Sequence, residues 1–285
     1  MAENALSVCV VGLGLMGGSL ALALREAHWA EWLIGVDRDV AMLAAAEASG
    51  AIDTGTTDLA AGVAAADVVL LATPVRTILR LLPEVGRHAR PGALIMDLGS
   101  TKQQICRAMT GLPEGLEPVG GHPMCGKEVA GFASAEATLF YQRPFVLCPV
   151  SRTAPAALEL ARSLALAIGA RPVVLDPAVH DRAVGAISHL PYALAVSLMS
   201  IVNAGRTPAA WSLAAGGFRD TSRVAGSDVS MMLDFLLTNR EAVLGWLDAF
   251  AVPLAELRSE LDRADETALR ERLTAARENR IRLRF

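Results

Sequence analysis

Three residues of different chemistry stand close together at positions 122, 127 and 128. His122 brings an imidazole, Lys127 an ammonium and Glu128 a carboxylate, in the run Gly120-Gly121-His122-Pro123-Met124-Cys125-Gly126-Lys127-Glu128. Histidine is the side chain most readily tuned to exchange a proton near neutral pH. The glycines and Pro123 suggest a hinged loop on which the backbone approaches a ligand closely. A solitary histidine in a turn is ordinarily structural, so the weight on His122 comes from its company. Cys125, the thiol nearest to it, has no evident base partner and reads as a small filler.

A partner for such a histidine is written near the amino terminus. A short apolar strand over residues 6–11 runs into Gly12-Leu13-Gly14-Leu15-Met16-Gly17, and a helix-forming run follows. In a dinucleotide site the first glycine makes the tight turn and the second admits the pyrophosphate. The third lets helix and strand pack, and the helix amino terminus holds the phosphates. Gly12, Gly14, Leu15, Met16 and Gly17 are therefore the expected cradle. A second apolar strand, residues 32–36, ends at Asp37, twenty residues beyond Gly17. A carboxylate there accepts hydrogen bonds from ribose hydroxyls and repels the extra phosphate of NADP, which favours NAD. Arg38 beside it pulls the other way.

These residues need a scaffold, and the hydrophobic pattern supplies one. Residues 67–72 and 93–98 are further short apolar runs, as expected of parallel strands covered on both faces. The first leads to Thr73 and Pro74, the second to Ser100, Thr101 and Lys102. Open parallel sheets bind ligands beyond the carboxyl ends of their strands. The Gly12 turn, Thr73-Pro74, Ser100, Lys102 and His122 are thus expected along one edge. Lys102 and Lys127 are also the only lysines among 26 basic residues.

After a helix over residues 154–168 and a strand over 171–175, the chain reads as helices from Pro177 onward. The expected architecture is α/β: a Rossmann-type, mostly parallel sheet domain over residues 1–176, then an all-helical domain over 177–285. Residues 190–202 are apolar all round, which predicts a buried helix. Leu254, Leu257, Leu261, Leu269 and Leu273 form a stripe suited to a core or a dimer contact. Two further groups offer chemistry: Ser188-His189-Leu190-Pro191-Tyr192, and Arg219 with Arg223, four apart and able to fork a carboxylate if helical. Without its glycines the second group would read as an exposed ion pair through Asp220.

The bulk properties narrow the function. Of 285 residues 53% are apolar and 20% charged, a surplus of apolar surface that suits an oligomer. A net charge of −4 gives no electrostatic reason to bind nucleic acid or an anionic membrane. Cys9, Cys106, Cys125 and Cys148 show no paired spacing, which reads as reduced thiols in a cytoplasm. The uncharged run 6–24 contains four glycines and no preceding basic residue, so it reads as strand, turn and helix rather than a leader.

Taken together, Gly12 to Gly18, Ala72-Thr73-Pro74, residues 97–102, Gly121-His122-Pro123-Met124, Ser188-His189-Leu190-Pro191 and residues 217–228 resemble the prephenate/arogenate dehydrogenases of tyrosine biosynthesis. The resemblance runs from Val8 to about Asn239. It implies a Rossmann-type domain followed by a helical dimerisation domain in a homodimer. It also implies NAD-dependent oxidative decarboxylation of prephenate to 4-hydroxyphenylpyruvate, of arogenate to tyrosine, or of both. Aromatisation drives that reaction, so no metal is expected. By the same resemblance His122 accepts the hydroxyl's hydrogen bond and Ser100 orients hydroxyl and nicotinamide. Arg223 holds a carboxylate, His189 lines the pocket and Glu128 stands at its mouth.

The chain departs from the pattern at Tyr192, where many prephenate-active members have histidine, and at Lys127, where a small hydroxyl residue is common. Lys127 disfavours arogenate's ammonium and Glu128 favours it. Prephenate is preferred here because Lys102, Lys127 and Arg219 are available to meet its two carboxylates. With the chain ending at Phe285, an appended regulatory domain is not expected. Two other readings are a β-hydroxyacid dehydrogenase, which would need a lysine in the second half, and an NAD-binding sensor without turnover.

Overall fold

The computed structural model describes residues 6–127, 129, 131–203 and 209–283. Its strands are β1 (Ser7–Val11), β2 (Trp32–Val36), β3 (Thr54–Thr56), β4 (Val68–Leu71), β5 (Leu94–Asp97), β6 (Glu117–Pro123), β7 (Pro144–Pro149) and β8 (Arg171–Val174). They form one sheet in the order β3-β2-β1-β4-β5-β6-β7-β8. Neighbouring strands are parallel except β6 and β7, which are antiparallel.

The period of two along each strand divides this sheet between two cores. Val8 and Val10, Val68 and Leu70, Leu94 and Met96 face one side, packed with Leu20, Leu24 and Leu164. Cys9 and Val11, Val69 and Leu71, and Ile95 face the other, packed with Ile78, Leu82 and Ile105. Burial on both faces is why these strands read as unbroken apolar runs. Chain order reverses between β1 and β4, which places the crevice of an open α/β sheet beside the turn after β1.

Helix starts follow local chemistry. Asp39 caps Val40–Ala48 by accepting from the Ala41 and Met42 amides, and Asp176 caps Pro177–Val184 with a proline in the first turn. The latter helix continues through a π turn, Gly185–His189, into Leu190–Asn203. Two compact units result, Met1–Arg240 and Glu241–Phe285. The first extends past the sheet because helical residues bond back to it. Asp234 accepts from the Arg76 amide at 3.1 Å and from its Nε at 2.5 Å. The second unit is a helix pair, with Arg272 bonded to Glu256 and Glu260 across the turn at Ala264.

One expectation needs correcting. The helix Leu190–Asn203 is not buried within this chain, since only Ala195 is enclosed. The leucine stripe is split between the helices Arg240–Asp262 and Glu266–Arg282, and Leu254, Leu261 and Leu273 are exposed. Apolar periodicity identifies a face to be covered but not what covers it. The continuous helix Pro177–Asn203 has the length and composition to cross a membrane. Its first half, however, carries Asp181 bonded to the Lys102 and Gln103 amides. The 14 residues from Leu190 to Asn203 fall short of the roughly 20 a span requires.

Candidate active site

The turn after β1 is shaped by what its neighbours leave room for. Gly12 has φ +93°, and a Cβ on it would lie 2.8 Å from the Thr73 methyl. A Cβ on Gly17 would lie 1.9 Å from the Gly12 carbonyl oxygen, so helix and turn touch there. Above Gly14 there is open space. The helix Leu15–Glu26 begins at Gly14 with no side-chain cap and no acidic residue in its first turn. Its first amides therefore point at a place suited to an anion. Thr73 Oγ1 is buried without a partner, an orphan polar atom beside Gly12. Asp37 accepts from the Leu13 amide at 2.8 Å and the Asp39 amide at 3.0 Å, and keeps lone pairs for ribose hydroxyls. Arg38 is exposed next to it, and Pro74 starts the helix Val75–His88. Open space, uncapped amides, orphan hydroxyl and anchored carboxylate all fit a dinucleotide.

We expect Asp37→Ser to narrow the preference for NAD over NADP, because it removes the charge that repels the ribose phosphate. The ratio of kcat/KM for the two cofactors measures it. A parent enzyme already preferring NADP would mean that Arg38 governs this pocket.

His122 lies on β6 rather than on a loop. The glycines before it serve the sheet. A Cβ on Gly121 would stand 2.4 Å from the Asp97 carbonyl oxygen, and one on Gly120 would stand 2.7 Å from Cys106 Sγ. Close packing of strand and helix, rather than approach of a ligand, is what these two positions require. The parallel register pairs Met96 with Val119. Ser100 stands four residues beyond Met96 and His122 three beyond Val119, so both fall at the same end of adjacent strands.

Behind His122 sits an ion pair with no exposure to solvent. Lys102 Nζ bonds to the Asp97 carboxylate and, at 2.5 Å, to the Gly121 carbonyl. Asp97 also accepts from the Gly121 amide at 3.1 Å and the Gly99 amide at 2.7 Å. The pair thus grips the residue preceding His122 by both its amide and its carbonyl. Burial pushes the Asp97 carboxyl up, against the pull of Lys102. Lys102 is therefore a buried clamp, which corrects its expected role in meeting a substrate carboxylate.

His122 itself is half-buried, and its pKa lies well below 6.5, first through burial and then through the charge of His180, Lys102 and His189. It is a neutral base at pH 7. Its Nδ1 lies 2.8 Å from His180 Nε2, and His180 Nδ1 lies 2.8 Å from Asp181 Oδ1. Nothing in the reading of the sequence marked His180 or Asp181, which are adjacent to each other but 58 residues or more from His122. The available signal was the run His180-Asp181-Arg182 in a short helix whose other residues are Pro, Ala and Val.

The other expected residues divide. His189 is buried, stacked on Phe235 with ring centroids 4.1 Å apart, and its Nδ1 meets Asn239 Nδ2 at 3.1 Å. Burial lowers its pKa to about 4. It is a packed wall residue whose charge reaches the His122 ring. Tyr192 meets the edge of the same Phe235 at 5.5 Å. Arg219 is 78% exposed and pairs with Asp220 at 3.2 Å, the surface ion pair rather than half of a fork. The helix Gly216–Ser222 stops before Arg223, which opens the turn Arg223–Gly226 packed on Leu190–Asn203. Lys127 pairs with Glu136 at 2.7 Å and lines a cavity of about 480 Å³ with Met124, Cys125, Tyr141 and Arg143. Burial raises the Cys125 thiol to about 11, which removes it as a nucleophile. Glu128 lies outside the described residues.

A doubly wound sheet with a dinucleotide cradle at its switch point and a neutral histidine on the same edge defines a dinucleotide-dependent oxidoreductase. Residues 20–174 match the family model "Prephenate dehydrogenase, nucleotide-binding domain", and residues 176–275 match "Prephenate dehydrogenase, dimerization domain". The chain belongs to the prephenate dehydrogenase family. A prephenate dehydrogenase of Bacillus subtilis (strain 168) is 35% identical over 263 residues, 91% of this chain and 71% of the relative. The crystal structure of prephenate dehydrogenase from A. aeolicus in complex with hydroxyphenyl propionate and NAD+ superposes with a TM-score of 0.92 at 30% identity, covering 99% of both chains. That of Synechocystis arogenate dehydrogenase gives 0.85 at 32% identity, covering 96% of this chain and 98% of the other.

Proposed function

We propose that this enzyme catalyses the NAD-dependent oxidative decarboxylation of prephenate to 4-hydroxyphenylpyruvate. The observation that carries the reading is a neutral, half-buried His122 on the same sheet edge as the uncapped glycine turn. Gly12, Gly14, Leu15, Met16 and Gly17 would hold the pyrophosphate, Asp37 the ribose, and Thr73 with Pro74 the wall beside them. When bound, the nicotinamide supplies the hydride acceptor. His122 accepts the proton of the substrate's ring hydroxyl as hydride leaves the same carbon, and it returns that proton to the ring oxygen as the bond to the carboxylate breaks, carbon dioxide departs and the ring becomes aromatic. Ser100 orients the hydroxyl, and Arg223 anchors the ring carboxylate.

The side-chain end of the substrate would meet the cavity beside Lys127, with Tyr192 and Glu128 contributing to selection. Among the described lining residues, Lys127 and Arg143 set two cations against the single carboxylate of Glu136. An anionic pyruvyl group suits that balance. Arogenate is the second reading, because Glu136 already engages Lys127 and leaves less positive charge to repel an ammonium. The kcat/KM ratio for the two substrates at fixed NAD decides. A preference for arogenate of about tenfold or more would overturn the choice of prephenate.

The functional division falls at residues 1–176 and 177–285, a reading supported by the two family models meeting there. The protein works in the cytoplasm, in keeping with the four free cysteines. It works as a homodimer built through the helices beyond Pro177. Exposed Ile187, Ile201, Val229 and Leu237 supply the apolar face. Light scattering at micromolar concentration should give twice the chain mass of 29.9 kDa. A monomer would contradict it.

A further inference from the structure

We infer that His180 and Asp181 fix the tautomer of His122, so that a buried carboxylate two imidazoles away decides which nitrogen meets the substrate. The inference rests on the reading of His122 as hydroxyl acceptor and extends it to the residues that make it one.

Asp181 is fully buried, with Oδ1 accepting from the Lys102 amide at 2.7 Å and Oδ2 from the Gln103 amide at 2.9 Å. Those amides open the helix Gln103–Thr110, whose amino terminus favours negative charge. With both oxygens accepting, Asp181 is an acceptor toward His180 as well, so His180 carries its proton on Nδ1. His180 Nε2 is then a lone pair, and the 2.8 Å contact to His122 requires the His122 proton on Nδ1. That leaves His122 Nε2 unprotonated and able to accept from a substrate hydroxyl. Asn239 holds the frame by donating to the Asp181 carbonyl at 2.7 Å.

Without this chain, His122 could place an N–H where the hydroxyl must donate, and the base would be lost in that fraction of molecules. As His122 takes up the proton and becomes cationic, its bond to His180 strengthens and Asp181 supplies the balancing charge. His180 and Asp181 are positioning residues: they act on the reacting atoms only through His122.

The test uses the full-length chain labelled with ¹⁵N-histidine and needs no substrate. The ring nitrogen shifts at pH 8 are expected to show His122 protonated on Nδ1 and bare on Nε2. In His180→Phe, a variant that keeps an aromatic ring but offers no acceptor, the proton is expected to move toward Nε2. Prephenate turnover with NAD should then fall about a hundredfold with KM nearly unchanged, since the substrate still binds but meets a misset base. His122 protonated on Nε2 in the parent would overturn the inference. So would a folded His180→Phe enzyme with kcat within about threefold of the parent. If His180→Phe does not fold, the parent spectrum alone decides. If the parent fails to oxidise prephenate, the substrate assignment fails while the spectrum still reports on the tautomer.

Discussion

Replacing His122 with asparagine is expected to lower turnover by about two to four orders of magnitude, the range over which a positioned general base acts. Asparagine can still bond to a hydroxyl but cannot take its proton. The substitution removes a half-buried ring from the end of β6 and leaves the Asp97–Lys102 clamp behind Gly121 in place, so the fold should persist. Because burial holds the His122 pKa well below 6.5, the parent enzyme has a neutral base through the whole neutral range. Its kcat/KM should stay level as pH falls through 6.5 and decline only beneath it, where the ring gains a proton and can no longer accept one. Stopped assays at several pH values, with circular dichroism to verify folding, measure both effects. Turnover of His122→Asn within a few fold of the parent would make His122 a structural residue.

The second large effect is on stability. Lys102→Met should destabilise the protein by about 3–5 kcal/mol, because it leaves the Asp97 carboxylate enclosed without its counter-charge. Removing one partner of a buried pair costs more than removing both. Adding Asp97→Asn to Lys102→Met should therefore recover part of the loss, although the Gly121 grip is not restored. Urea unfolding of the two variants and the parent reads the difference. A loss below about 1 kcal/mol for Lys102→Met would show that solvent reaches the pair and that the clamp is weak.

The two residues that anchor these expectations were not equally legible in the sequence. The cradle around Gly12 and the ribose carboxylate Asp37 were readable because a tight turn, a close helix and a strand-end acid impose residue types at fixed spacing. The strands β1, β2, β4 and β5 were readable because burial on both faces leaves short apolar runs, and the exposed edge strand β8 was readable from its Val-Val pair after a helix. β6 was not, since Gly120, Gly121 and Pro123 imitate a hinge. Those glycines are set by Asp97 and Cys106 on neighbouring elements, and neighbours cannot be seen along a chain. β3, Thr-Gly-Thr, escaped because its pairing with β2 and not its composition makes it a strand, whereas β7 carries a buried apolar run, Phe145 to Cys148, that was passed over.

Within the site, His122 was visible through its company. Its supports were not, because Asp97 read only as part of a strand and Lys102 as a group able to meet a substrate carboxylate. They are buried only because each neutralises the other. His180 and Asp181 join His122 through a tertiary contact that no motif spacing encodes. The exposed Arg219 and the open face of Leu190–Asn203 show the converse error, in which a pattern that can serve a site or a core is left at the surface of one chain.

At the centre stands one overall reaction, in which the substrate that gives up hydride to NAD also loses carbon dioxide. The direct measurement supplies NAD and prephenate to the purified enzyme and follows reduced nicotinamide absorbance together with released carbon dioxide. Equal amounts of the two, with 4-hydroxyphenylpyruvate as the ring product, are predicted. An enzyme that binds NAD yet forms no reduced nicotinamide with either prephenate or arogenate would contradict the account.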